Sequence, residues 1–133
     1  MWLKRCVIIL DRDLVKMAFA AKEMAYVPYS DFSVGAALLT ADGEIITGCN
    51  VENASYGATM CAERVAIFNA VSQGKRNFVK MAVTAVPCGM CRQVMAEFCD
   101  GDFEIIVAES EDKYTVRKLS DILPEVFILP RED

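Results

Sequence analysis

Apolar and polar residues follow two different periods along this chain. Three segments repeat apolar residues at helical spacing, and β-rich runs separate them. The pattern predicts helices over 13–26, 60–72 and 89–98, and strands over 33–40, 44–51, 78–86, 103–108 and 114–116. A last helical turn, capped by Ser120, is predicted to end at Leu123 and Pro124. Strands that alternate with helices predict an α/β fold, a three-layer sandwich around a mixed five-stranded sheet.

The chain shows no internal repeat, low-complexity tract or linker, so a single domain is predicted over 1–133. The first ten residues precede the first predicted helix, and three interpretations of them are open: a strand, an extension or an artefact. Their apolar run is short, is interrupted at Asp11 and lacks a small-residue cleavage site, so no signal peptide is predicted. No apolar stretch is long enough to span a membrane. We therefore expect a cytoplasmic protein.

Composition and charge narrow the classes of partner. Apolar residues make up 54% of the chain and the mean hydropathy is +0.27, which favours an interface between subunits. The net charge is −5, from 14 basic and 19 acidic residues, and no basic stripe is present. Nucleic acid is therefore not an expected partner. The chain has no histidine, which excludes Ser-His and Cys-His catalytic pairs and leaves Cys, Asp and Glu as candidate metal ligands.

Two short motifs lie at the starts of the second and third predicted helices, over 61–64 and 87–91. Cys88 and Cys91 are three residues apart, so they share one face of a helical turn. A helix start favours anions and lowers the pKa of a thiol. Three thiolates that converge from two helix starts predict a zinc site with Cys61, Cys88 and Cys91 as ligands and an open fourth position. An open position is typical of catalytic zinc.

Two charged residues close to Cys61 indicate that the open position serves catalysis. Glu63 lies two residues further on in the same turn, where a carboxylate can take a proton from a zinc-bound water and pass it to a leaving group. Zinc with three thiolates carries a net charge of −1, and Arg64 is placed to offset it. The joint pattern is the three-cysteine form of the zinc-deaminase signature.

Each part of the pattern also has a plainer interpretation. A lone CxxC motif is common in structural zinc sites and in redox pairs. A closed structural site would need a fourth ligand, for which Cys6, Cys49 and Cys99 are the candidates. Such a site would indicate an interaction module, and a reversible Cys88–Cys91 disulfide would indicate a redox pair without metal. A disulfide framework is not expected, because nothing marks the chain as secreted.

Four blocks of the sequence, over 29–39, 48–57, 61–64 and 87–93, closely resemble the small homotetrameric cytidine deaminases. The resemblance runs from about residue 14 to residue 127. It implies zinc-dependent hydrolysis of cytidine, and of deoxycytidine, to the uracil nucleoside and ammonia in pyrimidine salvage. It also implies one Zn²⁺ per subunit and a homotetramer with shared active sites.

The resemblance also implies roles for particular residues. Cys61, Cys88 and Cys91 would hold zinc and Glu63 would move protons. The substrate-binding residues would be Phe32, Asn50, Glu52, Ala54, Tyr56, Ala62 and Phe127. Phe32 would stack on the pyrimidine, and Tyr56 and Phe127 would reach the site of a neighbouring subunit.

The residues themselves support a nucleoside substrate. Asn50 and Glu52 alternate on a predicted strand, so both side chains are expected on one face. An amide and a carboxylate suit the vicinal hydroxyls of a sugar. No cluster of Arg and Lys marks a phosphate pocket, which a nucleotide would need. A related deaminase that acts on an aminopyrimidine nucleoside antibiotic is the alternative within this class.

Two features depart from the family. Val86 and Pro87 lead directly from the predicted strand to the third helix, where the family has a loop of several residues. Either the chain is truly shorter here or residues are missing from this stretch, and the second interpretation is favoured. A true deletion would bear on where Cys88 and Cys91 lie. The apolar start over 1–10 has no counterpart in the family.

Overall fold

A computed structural model describes residues 9–131 of the chain. Within this range the chain forms four α-helices, five β-strands and one short 3₁₀ turn. In chain order they are α1 (Asp11–Lys22), β1 (Gly35–Thr40), β2 (Ile45–Cys49), the 3₁₀ turn (Tyr56–Ala58), α2 (Ala62–Ser72), β3 (Phe78–Val83), α3 (Gly89–Phe98), β4 (Glu104–Ala108), β5 (Tyr114–Lys118) and α4 (Leu119–Ile122).

The five strands form one mixed sheet in the order β2-β1-β3-β4-β5. β3 and β4 run parallel, and the other neighbouring strands are antiparallel. The parallel pair needs a crossover connection, which α3 supplies. The carboxyl ends of β3 and β4 therefore lie at the same end of the sheet, and the loop that leads to α3 starts there.

Helices cover both faces of the sheet, which confirms the predicted α/β architecture. Alternate residues of β1 belong to different cores: Ala36 and Leu38 pack with α2 and α3, while Ala37 and Leu39 pack with α1. All six residues of β1 are buried, because this central strand is covered on both sides.

Two glycines bring a helix unusually close to each face of the sheet. A Cβ added at Gly48 of β2 would lie 2.5 Å from the Ala62 carbonyl oxygen and 2.6 Å from the Ala66 nitrogen of α2. A Cβ added at Gly35 of β1 would overlap the Ala18 carbonyl oxygen of α1. Only glycine allows these backbones to approach so closely. The start of α2, which carries the first motif, is therefore pressed onto the end of β2.

Some predicted boundaries are wrong, and tertiary contacts explain why. The first helix was predicted over 13–26 but begins at Asp11 and ends at Lys22. Beyond that end, the Tyr26 N–H donates to the Asn50 carbonyl at 3.0 Å and leaves the helical path. The third long strand was predicted to reach Val86 but ends at Val83. Thr84 then pairs with Gly35, whose N–H donates to the Thr84 hydroxyl at 3.0 Å.

The remaining corrections concern shorter segments. α2 begins at Ala62 rather than at residue 60, β2 ends at Cys49 rather than at residue 51, and β5 extends to Lys118. Ser120 does not cap the last helix: α4 begins at Leu119, and the Ser120 N–H donates to the Gly101 carbonyl at 3.0 Å.

The connection from β3 to α3 is longer than the predicted direct join. Because the strand ends early, residues 84–88 form the connection, a length typical of such loops. Most of the segment over 1–10, interpreted as a strand, an extension or an artefact, lies outside the described residues. Within the described range, no helix is both long and apolar enough to cross a membrane.

Candidate metal centre and adjoining cleft

Three thiols meet where α2 and α3 begin. Cys61 immediately precedes α2, Cys88 immediately precedes α3, and Cys91 lies in the first turn of α3. Their sulfur atoms all lie within 4.8 Å of one another. Cys88 Sγ is 3.9 Å from Cys61 Sγ and 3.5 Å from Cys91 Sγ. The convergence predicted from the two motifs is therefore present, despite the short connection before α3.

The spacing and chemistry of these thiols fit zinc. A tetrahedral zinc with Zn–S bonds of about 2.3 Å separates its sulfur ligands by about 3.8 Å. The two Sγ–Sγ distances above lie on either side of that value. Three sulfur ligands leave a fourth position free. Neither Cys49 nor Cys99 joins the group, and Cys6 lies outside the described residues.

The pKa values of the Cys91 and Cys88 thiols are shifted in opposite directions. Cys91 is buried, and this burial raises the pKa of its thiol far above the usual range. Burial also acts to raise the pKa of Cys88, but N–H and thiol donors from Cys91, with further donors from Cys61 and Met90, outweigh it and lower that pKa. A bound cation would favour the deprotonated form of all three thiols.

Glu63 lies beside this group, as the sequence predicted. Its side chain is in the first turn of α2 and is only 4% exposed. Burial raises the pKa of the Glu63 carboxyl, and hydrogen bonds from its own backbone N–H and from the Cys91 thiol act in the opposite direction. A carboxyl group in this environment is suited to both accepting and donating a proton.

Arg64 reaches back to the first thiol. Its Nη2 lies 3.3 Å from Cys61 Sγ and donates to it. The Arg64 Nε atom is buried and has no hydrogen-bond partner among the described residues. The guanidinium is thus placed beside the sulfur atoms, where its charge opposes theirs.

A cleft of about 310 Å³ opens next to the thiols. Its lining brings together most of the residues expected to bind substrate, namely Phe32, Asn50, Glu52 and Ala62, along with Glu63, Cys61 and Cys88. Phe32 is 59% exposed, so its ring is available to a ligand. No Lys or Arg is among the described residues that line this cleft.

Asn50 holds the loop that carries Phe32. Its Oδ1 accepts the Val34 N–H at 2.9 Å, and its Nδ2 donates to the Phe32 carbonyl at 2.8 Å. The amide is 9% exposed and keeps one N–H and one lone pair for another partner. These two hydrogen bonds fix the Asn50 side chain and the Phe32 loop relative to each other.

Glu52 binds the same loop from the other side. Its carboxylate accepts the N–H groups of Tyr29 at 3.0 Å and Ser30 at 3.1 Å, and also the Ser30 hydroxyl. The Ser30 hydroxyl is the largest cause of a lowered pKa for Glu52. The predicted strand alternation of residues 50 and 52 is wrong, because β2 ends at Cys49. Both side chains nevertheless point to the loop over 29–34.

The other expected substrate-binding residues do not line this cleft. Tyr56 is 80% exposed, and its ring centroid lies 6.5 Å from that of Tyr29. Phe127 is 68% exposed and is held through its carbonyl, which accepts from Gln93 Nε2 at 2.8 Å. Ala54 is exposed on the loop before the 3₁₀ turn.

Sequence reasoning missed six residues of the cleft wall, namely Ser30, Val34, Thr59, Met60, Ala85 and Val86. Ser30 lines the cleft and joins Glu52 to the Phe32 loop, since its hydroxyl also accepts the Phe32 N–H at 3.0 Å. Ala85 and Val86 line it because the strand before them ends early. Ser30 lies inside one of the four sequence blocks described above, whereas no local pattern marks residues 85 and 86.

Comparison with known proteins agrees with this geometry. A model of the cytidine and deoxycytidylate deaminase zinc-binding region matches residues 9–107. The cytidine deaminase of Halalkalibacterium halodurans is 50% identical over 125 residues, covering 89% of this chain and 95% of that protein. The blasticidin-S deaminase of Bacillus cereus is 31% identical over 128 residues, covering 86% of this chain and 89% of that protein.

A solved structure agrees as well. The crystal structure of cytidine deaminase from Burkholderia pseudomallei superposes with a TM-score of 0.86 at 44% sequence identity, covering 90% of this chain and all of that one. The resemblance noted in the sequence is confirmed at the level of both sequence and fold. With its three-thiol group and buried glutamate in place, the chain belongs to the cytidine deaminase family of zinc-binding hydrolases.

Proposed function

We propose that this chain hydrolyses cytidine and deoxycytidine to uridine and deoxyuridine with release of ammonia, and that it serves pyrimidine salvage in the cytoplasm. The observation that carries the proposal is the buried Glu63 carboxyl, which lines a cleft whose wall includes two of the three clustered thiols. Neither a structural zinc site nor a redox pair has a use for such a carboxyl.

Cys61, Cys88 and Cys91 would hold one Zn²⁺ per chain. When bound, the ion supplies Lewis-acid activation of the water that attacks C4 of the base. Arg64 donates to Cys61 Sγ at 3.3 Å and offsets part of the negative charge of three thiolates. Because the hydrogen bond from Arg64 draws electron density away from the Cys61 sulfur, that sulfur would donate less of it to the ion, and the ion would be a stronger Lewis acid.

Glu63 performs the proton transfers. Water adds across the C4=N3 double bond, so its oxygen bonds to C4 and one of its protons reaches N3. The bond from C4 to the exocyclic amine then breaks as the remaining hydroxyl proton passes to that amine, which leaves C4=O and ammonia. One carboxyl can serve each step in turn, because it regains a proton each time it gives one up. Its burial excludes solvent that would compete for these protons.

Phe32, Asn50 and Glu52 orient the nucleoside. Phe32 stacks on the pyrimidine, while the free hydrogen-bonding positions of Asn50 and the Glu52 carboxylate bind the ribose hydroxyls. The backbone at Ala62 contacts the base. Because the described lining of the cleft contains no Lys or Arg, a nucleoside fits better than a nucleotide, whose phosphate would require a cation.

The remaining expected contacts belong to an assembly. Tyr56, Phe127 and Ala54 lie on the surface of the chain, and large apolar residues near Phe127 are also exposed, among them Ile128 at 76% and Leu129 at 72%. A homotetramer with shared active sites would bring Tyr56 and Phe127 to a neighbour's cleft and cover this surface. This arrangement also accounts for the high apolar content.

The test is an absorbance assay of zinc-loaded protein with cytidine, deoxycytidine and cytidine monophosphate. Both nucleosides should react and the monophosphate should not. Glu63→Gln should lower kcat by about 10²- to 10⁴-fold, the usual contribution of acid–base catalysis, without loss of zinc. Glu97→Gln, which changes an exposed carboxylate on α3, is the control and should leave kcat unchanged.

Two results would contradict the proposal. Zinc-loaded protein that turns over neither nucleoside would exclude it and would favour an aminopyrimidine antibiotic, which is then tested in the same assay. Full activity in Glu63→Gln would remove the assigned proton carrier.

A further inference from the structure

Arg92 joins two segments that are distant in sequence. It follows Cys91 on α3 and is half-buried. Its Nε donates to the Pro87 carbonyl at 3.0 Å and its Nη1 donates to the Ile122 carbonyl at 2.8 Å. Pro87 directly precedes Cys88, and Ile122 is the last residue of α4. One guanidinium therefore ties the loop before α3 to the end of the last helix.

The loop that Arg92 holds carries the least packed of the three thiols. Cys61 is half-buried and Cys91 is buried, but Cys88 is exposed, as are its neighbours Val86 and Gly89. Pro87 is the buried residue of this stretch. Core packing alone therefore provides little to fix the direction in which the Cys88 side chain leaves the backbone.

A hydrogen bond to the Pro87 carbonyl can supply that direction. The peptide unit from Pro87 to Cys88 is planar, so a fixed carbonyl oxygen also fixes the Cys88 nitrogen and the plane in which its Cα lies. Cys88 has extended backbone angles as it enters α3, with φ −72° and ψ 169°. On its C-terminal side its carbonyl accepts the Arg92 N–H at 3.0 Å, the first hydrogen bond of α3. On its N-terminal side its orientation depends on the peptide that joins it to Pro87.

The second hydrogen bond of Arg92 anchors the guanidinium. The Ile122 carbonyl lies at the end of a helix, where carbonyl groups lack a partner within the helix. A planar guanidinium offers several N–H groups in a rigid fork, so it can bind two carbonyls in fixed relative positions. A lysine ammonium is a point charge on a flexible stem and cannot reproduce this fork.

We propose that Arg92 is a positioning residue that aligns Cys88 for metal binding by clamping the Pro87 carbonyl to the end of α4. The inference rests on the proposed role of Cys88 as a zinc ligand. Residues that orient a metal ligand typically change metal affinity or activity by about 10- to 100-fold when they are replaced.

The experiment compares Arg92→Met with Arg76→Met. Arg76 is a matched control because its Nη1 also donates to two backbone carbonyls, those of Val71 at 2.8 Å and Lys75 at 2.9 Å, and neither belongs to the metal centre. Each zinc-loaded variant is mixed with a chelator, and zinc release is followed over time. Arg92→Met should release zinc about 10- to 100-fold faster than wild type, and Arg76→Met should release it at the wild-type rate.

Two further readouts separate positioning from a general loss of stability. The cobalt-substituted Arg92→Met protein should show altered thiolate-to-cobalt absorption, and its kcat for cytidine should fall while KM stays close to wild type. Arg92→Lys keeps the charge but lacks the fork, so it should release zinc faster than wild type; it also serves if Arg92→Met does not fold.

The outcomes distinguish this inference from the proposed function. Wild-type protein that takes up no zinc would overturn both. Wild-type protein that holds zinc and deaminates cytidine, combined with wild-type zinc release in the Arg92 variants, would overturn only the role of Arg92. Wild-type release in Arg92→Lys alone would show that the charge, and not the two-carbonyl fork, is what matters.

Discussion

Both faces of the sheet bring a helix close by means of a glycine, but only one of them forms a functional site. On each face a helix is pressed onto a glycine, α1 onto Gly35 and α2 onto Gly48. The α1 face forms a mainly aliphatic core, and none of its described residues lines the cleft. The α2 and α3 face is also packed, but both helices begin at the same end of the sheet and bring three thiols and Glu63 together there.

This difference shows that close packing alone does not make a site. What distinguishes the second face is that two helix starts converge on it. A helix start presents free N–H groups and the positive end of its dipole, which favour anionic groups such as thiolates. The chemistry lies at helix ends, and the sheet sets the distance between them.

Removal of one thiol from the α2 and α3 face is expected to have the largest effect on zinc binding and turnover. Cys91→Ser removes a metal ligand itself. Zinc affinity and kcat should therefore fall by more than the about 10- to 100-fold that is typical when a residue hydrogen-bonded to a ligand is replaced. Cys99→Ser is the control at the other end of the same helix. Burial raises the pKa of the Cys99 thiol to about 12, so this thiol is protonated and packs as an apolar group.

Bound zinc per chain and kcat measured together check this prediction. Cys99→Ser should retain both at the wild-type level. A Cys91→Ser protein that keeps its zinc would mean that the thiols at the two helix starts do not form the metal centre.

Replacement of each glycine by alanine tests the difference between the two faces of the sheet directly. Gly48→Ala and Gly35→Ala should each lower the free energy of unfolding by about 1–3 kcal/mol, since each forces a helix away from the sheet. Only Gly48→Ala displaces α2, and with it Cys61 and Glu63. We therefore expect faster zinc release and lower kcat for Gly48→Ala, and wild-type values of both for Gly35→Ala.

Denaturant unfolding together with chelator-driven zinc release would measure both effects. Equal zinc release in the two variants at equal stability loss would remove the distinction drawn between the faces.

Asn50 extends the comparison to the loop that completes the cleft. Asn50→Ala leaves the Val34 N–H and the Phe32 carbonyl without their partner, which should cost about 1–3 kcal/mol of unfolding free energy. KM for cytidine should rise, because Phe32 is no longer held, while zinc content stays constant. Asn69→Ala, at an exposed position on α2, is the control for both measurements. A loss of zinc in Asn50→Ala would show that the loop and the thiols are not independent.

The smallest effect is expected at the β1–β2 hairpin, away from both helix starts. Lys75 Nζ lies 2.8 Å from Asp42 Oδ2 and 3.1 Å from Glu44 Oε2. Hydrogen bonds from Lys75 and then from Thr40 lower the pKa of Asp42 from 3.8 to about 2. Because the folded-state pKa is the lower one, this pair stabilises the fold above pH 3.8 and loses its contribution as the pH falls toward 2.

Unfolding of wild type and Lys75→Met should therefore differ by a constant amount between pH 5 and 8 and converge in acid. Turnover at pH 7 should be the same in both proteins. A difference that grows in acid would contradict the assigned sign.

Much of this architecture could be predicted from the sequence because local patterns determine it. The bounds of α3 were predicted correctly, and the spacing of Cys61, Cys88 and Cys91 predicted their convergence. The end of α1 was not predictable, since Ala25 continues the apolar stripe and only the distant Asn50 carbonyl draws Tyr26 away from the helix.

Other features depend on contacts that no local pattern encodes. Asn50 and Glu52 were expected on a strand, but hydrogen bonds to the loop over 29–34 position them instead. Arg92 follows a metal-ligand motif without any sign that it reaches α4. The close approach of α2 to Gly48 is likewise visible only in three dimensions.

The separation of the thiols along the chain has a consequence for folding. Cys61 and Cys88 are 27 residues apart, and α2 and β3 lie between them. β3 takes its place by pairing with β1, a contact between segments distant in sequence that forms slowly compared with local structure. The three sulfur atoms therefore come together only when β3 and α3 are in place on the sheet, so loss of the β1–β3 pairing should abolish the three-thiol group.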